Sequence, residues 1–434
     1  MFDVIIIGAG WAGFTAAIIG KKSGLKIALI EKNHVGGTCL NAGCIPTKTI
    51  LQSARILEQV KSSSIFGIFS DNSFRISWET ILRRKQTIIE QLRSSMEKQL
   101  LGIDFLRGYA KIISPECVEV EGKKFYSRYI LIATGSTPTI LDAFNFDNKK
   151  ILSSDQILEI NEIPSSLLII GGGVIGCEFA NIFSILGTEV TILEITDQLL
   201  PSMDNDVARK LENSFKKRRI KIKLSTDPQT INISEFDKIL VCTGRRVLLP
   251  ENLEKIGIRL DSNGLVLDEY LRTTVPSIYA AGDCTGQVML AHFANFQAKI
   301  AIKNIISLEN FQKITPAYVP SCVYTIPEVA SVGLTEKQAI IQGIDYQIIR
   351  CDFMSSAMAK IIDEKEGFIK ILFAPKTKLI LGAAIIGPKA TELIHLFAIA
   401  VSQQMTLPQL SKVIFAHPTL AEAISECIQK NGDN

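Results

Sequence analysis

Cys39 and Cys44 stand five positions apart in Gly36-Gly37-Thr38-Cys39-Leu40-Asn41-Ala42-Gly43-Cys44-Ile45-Pro46-Thr47-Lys48, a run of glycines and small residues. Two thiols so spaced, directly after a pattern suited to a dinucleotide, suggest electron traffic between a sulfur pair and a redox cofactor. Pro46 suits the first turn of a helix, which places Cys44 at or just before a helix N-terminus. That position favours the thiolate, the reactive form. The plain alternative is two buried structural cysteines, because free cysteine behaves as a small hydrophobe. Near the other end, His417 and Glu422 lie on either side of Pro418-Thr419, ahead of a terminal helix. A histidine in so short a pattern is, on its own, more often structural.

The cysteine run needs a frame, and two repeats of one pattern supply it. Val4-Ile5-Ile6-Ile7 is an apolar run of the kind buried on both faces of a parallel sheet. It leads into Gly8-Ala9-Gly10-Trp11-Ala12-Gly13, a helical stretch through Ile19, and a second strand Lys26–Ile30 ending at Glu31. Gly8 permits the tight turn, Gly10 lets the backbone approach a pyrophosphate, and Gly13 brings the helix close to the strand. The anion sits at the helix N-terminus and Glu31 accepts a ribose hydroxyl. The pattern returns as Leu167–Ile170, Gly171-Gly172-Gly173-Val174-Ile175-Gly176, a helix to about Leu186, Glu189–Leu193 and Glu194. Two fingerprints imply two dinucleotides. No arginine stands at Ile195, Thr196, Asp197 or Gln198 to neutralise a 2′-phosphate, so the second site favours NAD over NADP.

Between and beyond the fingerprints, small-residue turns follow apolar runs: Ala133-Thr134-Gly135-Ser136, Cys242-Thr243-Gly244 and Ala280-Ala281-Gly282-Asp283. Such turns let backbone approach a cofactor, and Asp283 can hydrogen-bond sugar or ribityl hydroxyls. Met289-Leu290-Ala291-His292 opens a helix whose first amides can face an electron-rich carbonyl. Residues 78–101 carry apolar positions at helical spacing and read as an amphipathic helix. After Val319 the composition changes, with strands near Phe368–Phe373 and Leu379–Ile386 and a helix near Thr391–Gln404.

Bulk properties narrow the class. The 434 residues suffice for two to four domains, and 47% hydrophobic with 21% charged residues is a globular mix. A net charge of +3 and the lack of a dense Lys/Arg block with aromatics argue against nucleic acid; Lys216-Lys217-Arg218-Arg219 reads as a solvated helix end. Nine scattered cysteines without a CxxC pair fit neither a secreted disulfide framework nor zinc, and a reducing, cytoplasmic setting is expected. The uncharged stretch Val4–Gly20 lacks a basic flank and is explained by its glycine turn, so no membrane association is expected.

Taken together, the two fingerprints, the Gly-Gly-Thr-Cys-Leu-Asn-x-Gly-Cys-Ile-Pro-x-Lys run, the Ala-Gly-Asp turn and the terminal His-Pro-Thr-x-x-Glu resemble the pyridine nucleotide–disulfide oxidoreductases, in particular their dihydrolipoamide-oxidising members. The likeness covers nearly the whole chain. It implies an α/β fold with two Rossmann-like three-layer dinucleotide-binding domains and a C-terminal α+β dimerisation domain. It divides the chain into FAD (1–145 and 269–313), NAD (146–268) and interface (314–434) parts. FAD would be held by Gly8, Gly10, Gly13, Glu31, Lys32, Gly37, Thr38, Lys48, Thr134, Gly135, Ser136, Asp283 and the Met289, Leu290, Ala291, His292 turn. NAD would be held by Gly171, Gly173, Val174, Ile175, Gly176, Glu194 and Gly244. The resemblance makes Cys44 the thiol against the flavin and Cys39 the one exchanging with substrate, and it pairs Lys48 with Glu178 near the flavin. His417, held by Glu422, would act as acid–base in the site of the other subunit of a homodimer. The implied partner is the lipoyl domain of a 2-oxoacid dehydrogenase acyltransferase, or a glycine-cleavage lipoyl protein.

Three features depart from the family pattern. Residues 221–238 are shorter than usual, as if a meander of the NAD part were trimmed. Met358 stands where arginine is usual, and Gln297 where glutamate is usual. Other readings from the same residues are a related disulfide or mercuric reductase, or a catalytically weak flavoprotein subunit serving as a scaffold. Against the mercuric type, Cys427 stands alone near the C-terminus.

Overall fold

The apolar run at the N-terminus forms β1 (Phe2–Ile7) in this computed structural model, which describes residues 1–69, 75–307, 309–315 and 318–432. Val4, Ile5 and Ile6 have no exposed surface. Burying each side chain of that kind is worth about 1.5–3 kcal/mol, so the sheet's centre is its most stable part. A glycine turn leads to α1 (Trp11–Lys22) and β2 (Ile27–Glu31). The stretch Val4–Gly20 is thus strand, turn and helix. Among the described residues no helix is long and apolar enough to cross a membrane.

Two helices follow where the sequence suggested one: α2 (Gly37–Ala42), carrying Cys39, and α3 (Cys44–Lys61), which begins on the second cysteine. Gly43 alone separates them. The amphipathic stretch is α4 (Trp78–Gln99), whose first turn is capped by the Ser77 hydroxyl accepting from Thr80 N–H. Then come β3 (Asp104–Arg107), β4 (Ala110–Ser114), β5 (Cys117–Val120), β6 (Lys123–Ile132) and β7 (Ser136–Pro138). Strands β3-β2-β1-β6 lie parallel in that order, and a later strand, Ile278–Ala280, pairs parallel with the end of β6. Residues of alternate parity divide between two cores. Val4, Ile6 and Leu29 pack under α1, and Ile5, Ile7 and Ile30 face the antiparallel β4-β5-β6 layer.

The second fingerprint builds a second parallel sheet. Its parts are β8 (Ile151–Ser153), β9 (Ser166–Ile170), α5 (Val174–Leu186), β10 (Glu189–Leu193), α6 (Asn205–Lys217), β11 (Lys221–Lys223) and β12 (Lys238–Val241), ordered β11-β10-β9-β12-β8. The basic run closes α6, with Lys216, Lys217 and Arg219 exposed and Arg218 ion-paired to Glu58. The short segment after β11 holds two single 3-10 turns, Pro228–Thr230 and Ile233–Glu235. One face of this sheet is therefore covered thinly, by Phe144, Leu141 and Phe146 with Ile231, Ile233 and Phe236. Apolar side chains on loops thus do the covering on this face, where the sequence implies a shortened segment.

The chain then returns to the first sheet. β13 (Arg245–Val247) pairs antiparallel with β7, forming a two-stranded ribbon between the parallel sheets. A small hairpin of β14 (Leu260–Asp261) and β15 (Gly264–Leu265) precedes β16 (Ile278–Ala280) and α7 (Ala291–Ile306), which packs against α1.

The remainder is a five-stranded antiparallel sheet with helices. Its elements are β17 (Ser321–Val323), β18 (Glu328–Gly333), α8 (Glu336–Ile341), β19 (Gln347–Asp352), α9 (Ala357–Ile361), β20 (Phe368–Phe373), β21 (Ile380–Gly387), α10 (Ala390–Ser402), α11 (Leu407–Leu410) and α12 (Glu422–Gly432), with strand order β17-β18-β21-β20-β19. Met358 is half-buried in α9. Lys370, 1% exposed on β20, places its ammonium 3.0 Å from Asp204 and 2.9 Å from Asp206, at the start of α6, and against Glu336 of α8. Burial works against its charge, and the three carboxylates outweigh it, so its pKa is raised. Asp204 is pushed above the usual carboxylate range by burial, with Lys370 pulling the other way, so part of the gain from pairing goes to desolvation.

Candidate active site

The two glycine turns are built alike because both need the same close approaches. Gly8 has φ of +104°, and a side chain there would meet the Ala133 carbonyl oxygen at 2.3 Å; at Gly171 φ is +109° and the clash is with the Cys242 carbonyl oxygen at 2.5 Å. Gly13 and Gly176 lie beneath these turns, where a Cβ would sit 1.8 Å and 2.0 Å from the carbonyl oxygens of Gly8 and Gly171. The acids match as well. Glu31 accepts from Ala9 N–H and Asn33 N–H, both at 2.8 Å. Glu194 accepts from Gly172 N–H at 2.6 Å and from the backbone and hydroxyl of Thr196, both at 2.9 Å. An ionised carboxylate offers about four lone-pair sites, so each acid keeps capacity for ribose hydroxyls.

A cavity of about 1620 Å³ runs from the first turn past the cysteines to the second. That exceeds the roughly 300–1,000 Å³ of a single small-molecule site. It is lined by Gly8, Gly10, Glu31, Lys32, Gly37, Thr38, Lys48, Thr134, Gly135, Ser136 and Asp283, and by Met289, Leu290, Ala291 and His292 at the start of α7. At its other end lie Gly171, Gly173, Val174, Ile175, Glu178, Glu194 and Gly244. Backbone amides at two helix N-termini, acids for two riboses and a void long enough for both suit two extended dinucleotides. The donor set fits FAD at the first turn and NAD at the second.

Cys39 and Cys44 both line this cavity. They are free thiols here, with Cys44 exposed into the cavity and Cys39 half-buried. The proton they share is divided unequally. The hydrogen bond from Cys39 brings the Cys44 thiol down to about 7, against burial and with help from the Lys48 ammonium. Cys39 is pushed up chiefly by that same bond, and by burial. Cys44 also opens α3, an 18-residue helix, whose N-terminal dipole favours negative charge. The pair thus ionises first at Cys44.

Lys48 lies one turn along α3. Its Nζ is 2.7 Å from Glu178 Oε2 and 3.0 Å from Oε1, and it stands 4.6 Å from the centroid of the Tyr324 ring. Burial pulls the Lys48 pKa down, but Glu178 and Cys44 outweigh it and the net shift is upward. Tyr324 N–H donates to the same Glu178 carboxylate at 3.0 Å. One ion pair therefore joins α3, α5 and the loop after β17 at the cysteines.

Asp283 accepts from the Ser136 hydroxyl at 2.6 Å, and Arg245 donates to the Ser136 hydroxyl and carbonyl at 2.8 and 2.9 Å. Gln297 is fully buried. Its carbonyl accepts from Gly282 N–H at 2.7 Å, and its amide donates to Gln287 at 3.1 Å. Every hydrogen-bonding demand made on Gln297 is met by a neutral amide, so no carboxylate is needed there.

His417 and Glu422 form a pair of their own: Nδ1 to Oε1 is 2.9 Å, and Thr419 N–H donates to Oε2 at 2.8 Å. They do not line the cavity of the same chain. The His417 side chain is 74% exposed, and Val413 and Ile414 beside it are exposed apolar residues.

Sequence reasoning missed Trp11, Tyr324 and Arg245, all of which line the cavity. Trp11 was visible only as a large aromatic inside a glycine turn. Tyr324 and Arg245 belong to segments whose approach to the cysteines depends on tertiary packing.

Comparison with known proteins agrees with this geometry. The pyridine nucleotide-disulphide oxidoreductase family matches residues 2–298, and its dimerisation domain matches residues 319–428. Dihydrolipoyl dehydrogenase of Chlamydia muridarum is 38% identical over 448 residues, covering 98% of this chain and 96% of that protein. A dihydrolipoyl dehydrogenase of Bacillus subtilis is 36% identical, covering 98% and 97%. Among solved structures, LpdA from Mycobacterium tuberculosis superposes with a TM-score of 0.90 at 27% identity, covering 99% of both chains. The HOCl-induced flavoprotein disulfide reductase RclA of Escherichia coli gives 0.86 at 27% identity, covering 98% and 99%. With two nucleotide turns flanking one thiol pair, and matches spanning almost its whole length, the chain belongs to the pyridine nucleotide-disulphide oxidoreductase family, enzymes that work with FAD and NAD.

Proposed function

We propose that this protein is a dihydrolipoyl dehydrogenase, oxidising a protein-bound dihydrolipoyl group to lipoyl with NAD⁺ as the final acceptor. The observation that carries this reading is the thiol pair at the helix N-terminus, set beside Lys48 and Glu178 between the two nucleotide turns. Residues 1–145 and 269–313 form the FAD part, 146–268 the NAD part and 314–434 the interface of a homodimer.

In the oxidised protein Cys39 and Cys44 form a disulfide. A substrate thiolate attacks the Cys39 sulfur; the Cys39–Cys44 bond breaks and Cys44 leaves as a thiolate. The second substrate thiol then attacks the substrate sulfur joined to Cys39. The substrate disulfide forms, the bond to Cys39 breaks, and Cys39 takes the electron pair and a proton. The partner subunit's His417 accepts the proton of the attacking thiol, since the thiolate is the nucleophile. Glu422 holds that imidazole by its Nδ1 and stabilises its charged form. Lys48 supports the negative charge on Cys44. FAD, which Gly10, Glu31, Lys48 and Asp283 would hold along the first turn and beside Cys44, would supply the redox chemistry that links the sulfur pair to NAD⁺.

Replacing Cys44 with Ser tests the proposal. Dihydrolipoamide–NAD⁺ turnover should disappear while FAD stays bound and the fold is kept. Normal turnover in that variant would refute it. Assays of the unmodified protein with dihydrolipoamide, glutathione disulfide and NADP⁺ separate this activity from that of a related reductase.

A further inference from the structure

Trp11 sits directly after Gly10 as the first residue of α1, so its backbone belongs to the first nucleotide turn. Its indole N–H is turned toward the Cys39 sulfur. The turn and the cysteine helix are in contact there: a Cβ on Gly37 would meet the Gly10 Cα at 2.7 Å, and Gly36 N–H donates to the Ala9 carbonyl at 2.8 Å. The same cavity is lined by Trp11 and Cys39. The indole Nε1–H is buried and has no full hydrogen-bond partner. Leaving such a donor unpaired is costly, so it calls for an acceptor present in another state of the site. An acceptor that changes with the redox cycle lies beside it: Cys39 is a weak acceptor as a thiol and a strong one as a thiolate.

We propose that the indole N–H of Trp11 is the hydrogen-bond donor to the Cys39 sulfur whenever that sulfur carries negative charge, which makes Trp11 a catalytic residue of dithiol exchange. The inference rests on the reading of Cys39 as the exchanging thiol. Its place in the reaction is the second exchange step. As the substrate disulfide forms and the bond between substrate and Cys39 breaks, the electron pair goes to the Cys39 sulfur, and Trp11 meets the charge there. In the reverse direction the same bond favours ionised Cys39 as the nucleophile. The direction agrees with the local electrostatics: the Cys44 hydrogen bond and burial push the Cys39 thiol up, and Trp11 is a group that opposes them.

The test isolates Cys39 in the Cys44→Ser protein, holoenzyme with FAD bound, and measures how its alkylation by iodoacetamide depends on pH. Adding Trp11→Phe keeps a ring and removes only the donor. The midpoint should rise, with labelling at neutral pH falling about tenfold, in line with the loss of one charge-assisted bond. An unchanged midpoint overturns the proposal. So does a loss of bound FAD without a shift of midpoint, which would assign the donor to the cofactor. Should Trp11→Phe fail to fold, the Trp78→Phe, Cys44→Ser protein leaves Trp11 as the single fluorophore of its type. Its emission should then be quenched with the same midpoint as Cys39 labelling, and emission independent of that titration overturns the proposal. Failure of the dihydrolipoyl reading appears elsewhere, as turnover that survives Cys44→Ser.

Discussion

The ammonium of Lys48 lies 2.7 Å from Glu178, and through this contact the helix that starts at Cys44 is pinned to the helix that starts at the second glycine turn. A charge beside the Cys44 thiolate is thereby held by the unit that carries the second glycine turn. Glu178 is 4% exposed, so the pair is shielded from solvent screening better than a surface ion pair.

In the reduced protein the Cys44 thiolate should form with a midpoint of about 7, protonated below and ionised above, because its pKa lies below the ordinary thiol value. Lys48→Met removes a favourable charge and should raise that midpoint by about one unit, roughly a tenfold loss of thiolate at neutral pH. Cys39→Ala, which removes the larger influence, should raise it further. Thiolate absorbance against pH measures both. A midpoint indifferent to Lys48 would remove the lysine from the argument.

His417→Gln should lower dihydrolipoamide oxidation by about 10²–10⁴-fold, the usual worth of a positioned acid–base. Glu422→Gln should cost less, about tenfold. The Thr419 backbone amide, and then His417, hold the Glu422 carboxyl below the usual range, so it is ionised at working pH. The crossed-subunit arrangement has its own check. An equimolar mixture of Cys44→Ser and His417→Gln chains, reassembled at random, should recover about a quarter of the activity if each site draws its imidazole from the other chain. Recovery of nothing would place His417 in its own chain's site.

Glu194 should make NADP⁺ a poorer acceptor than NAD⁺ by at least about tenfold, since an acid at the end of β10 repels a 2′-phosphate and Ile195 to Gln198 supply no arginine. Steady-state kcat/KM with both nucleotides decides this. The doublet Glu194→Ser, Ile195→Arg should narrow the ratio.

Lys370→Met leaves Asp204, Asp206 and Glu336 facing one another without their shared cation, with only Arg350, 3.7 Å from Asp206, still nearby. Removing one partner from a buried charge cluster costs about 3–5 kcal/mol, here toward the lower end because two of the carboxylates keep solvent access. Urea unfolding should shift accordingly, while FAD content of the folded protein should not.

Much of this architecture could be read from residue order alone. Val4–Ile7 and Leu167–Ile170 announce strands covered on both faces, and the glycine spacing fixes the turns after them, because the clashes at Gly8, Gly13, Gly171 and Gly176 admit no side chain. Cys39 and Cys44 were legible for the same reason, as local spacing. What escaped was set by packing between distant segments. Nothing in the neighbourhood of Tyr324 or Arg245 tells that they converge on α3 or on Ser136, and no local pattern announces the Lys370 cluster. The separate helix Gly37–Ala42 was hidden by Gly37 and the glycines that flank it, which score poorly for helix, although Gly37 suits a backbone pressed against Gly10.

Lys370 carries a consequence for motion. By clasping the base of α6 to β20 and α8, it makes the second parallel sheet and the antiparallel sheet ride as one block. Sliding one of these sheets past the other would break the Asp204 and Asp206 contacts at once.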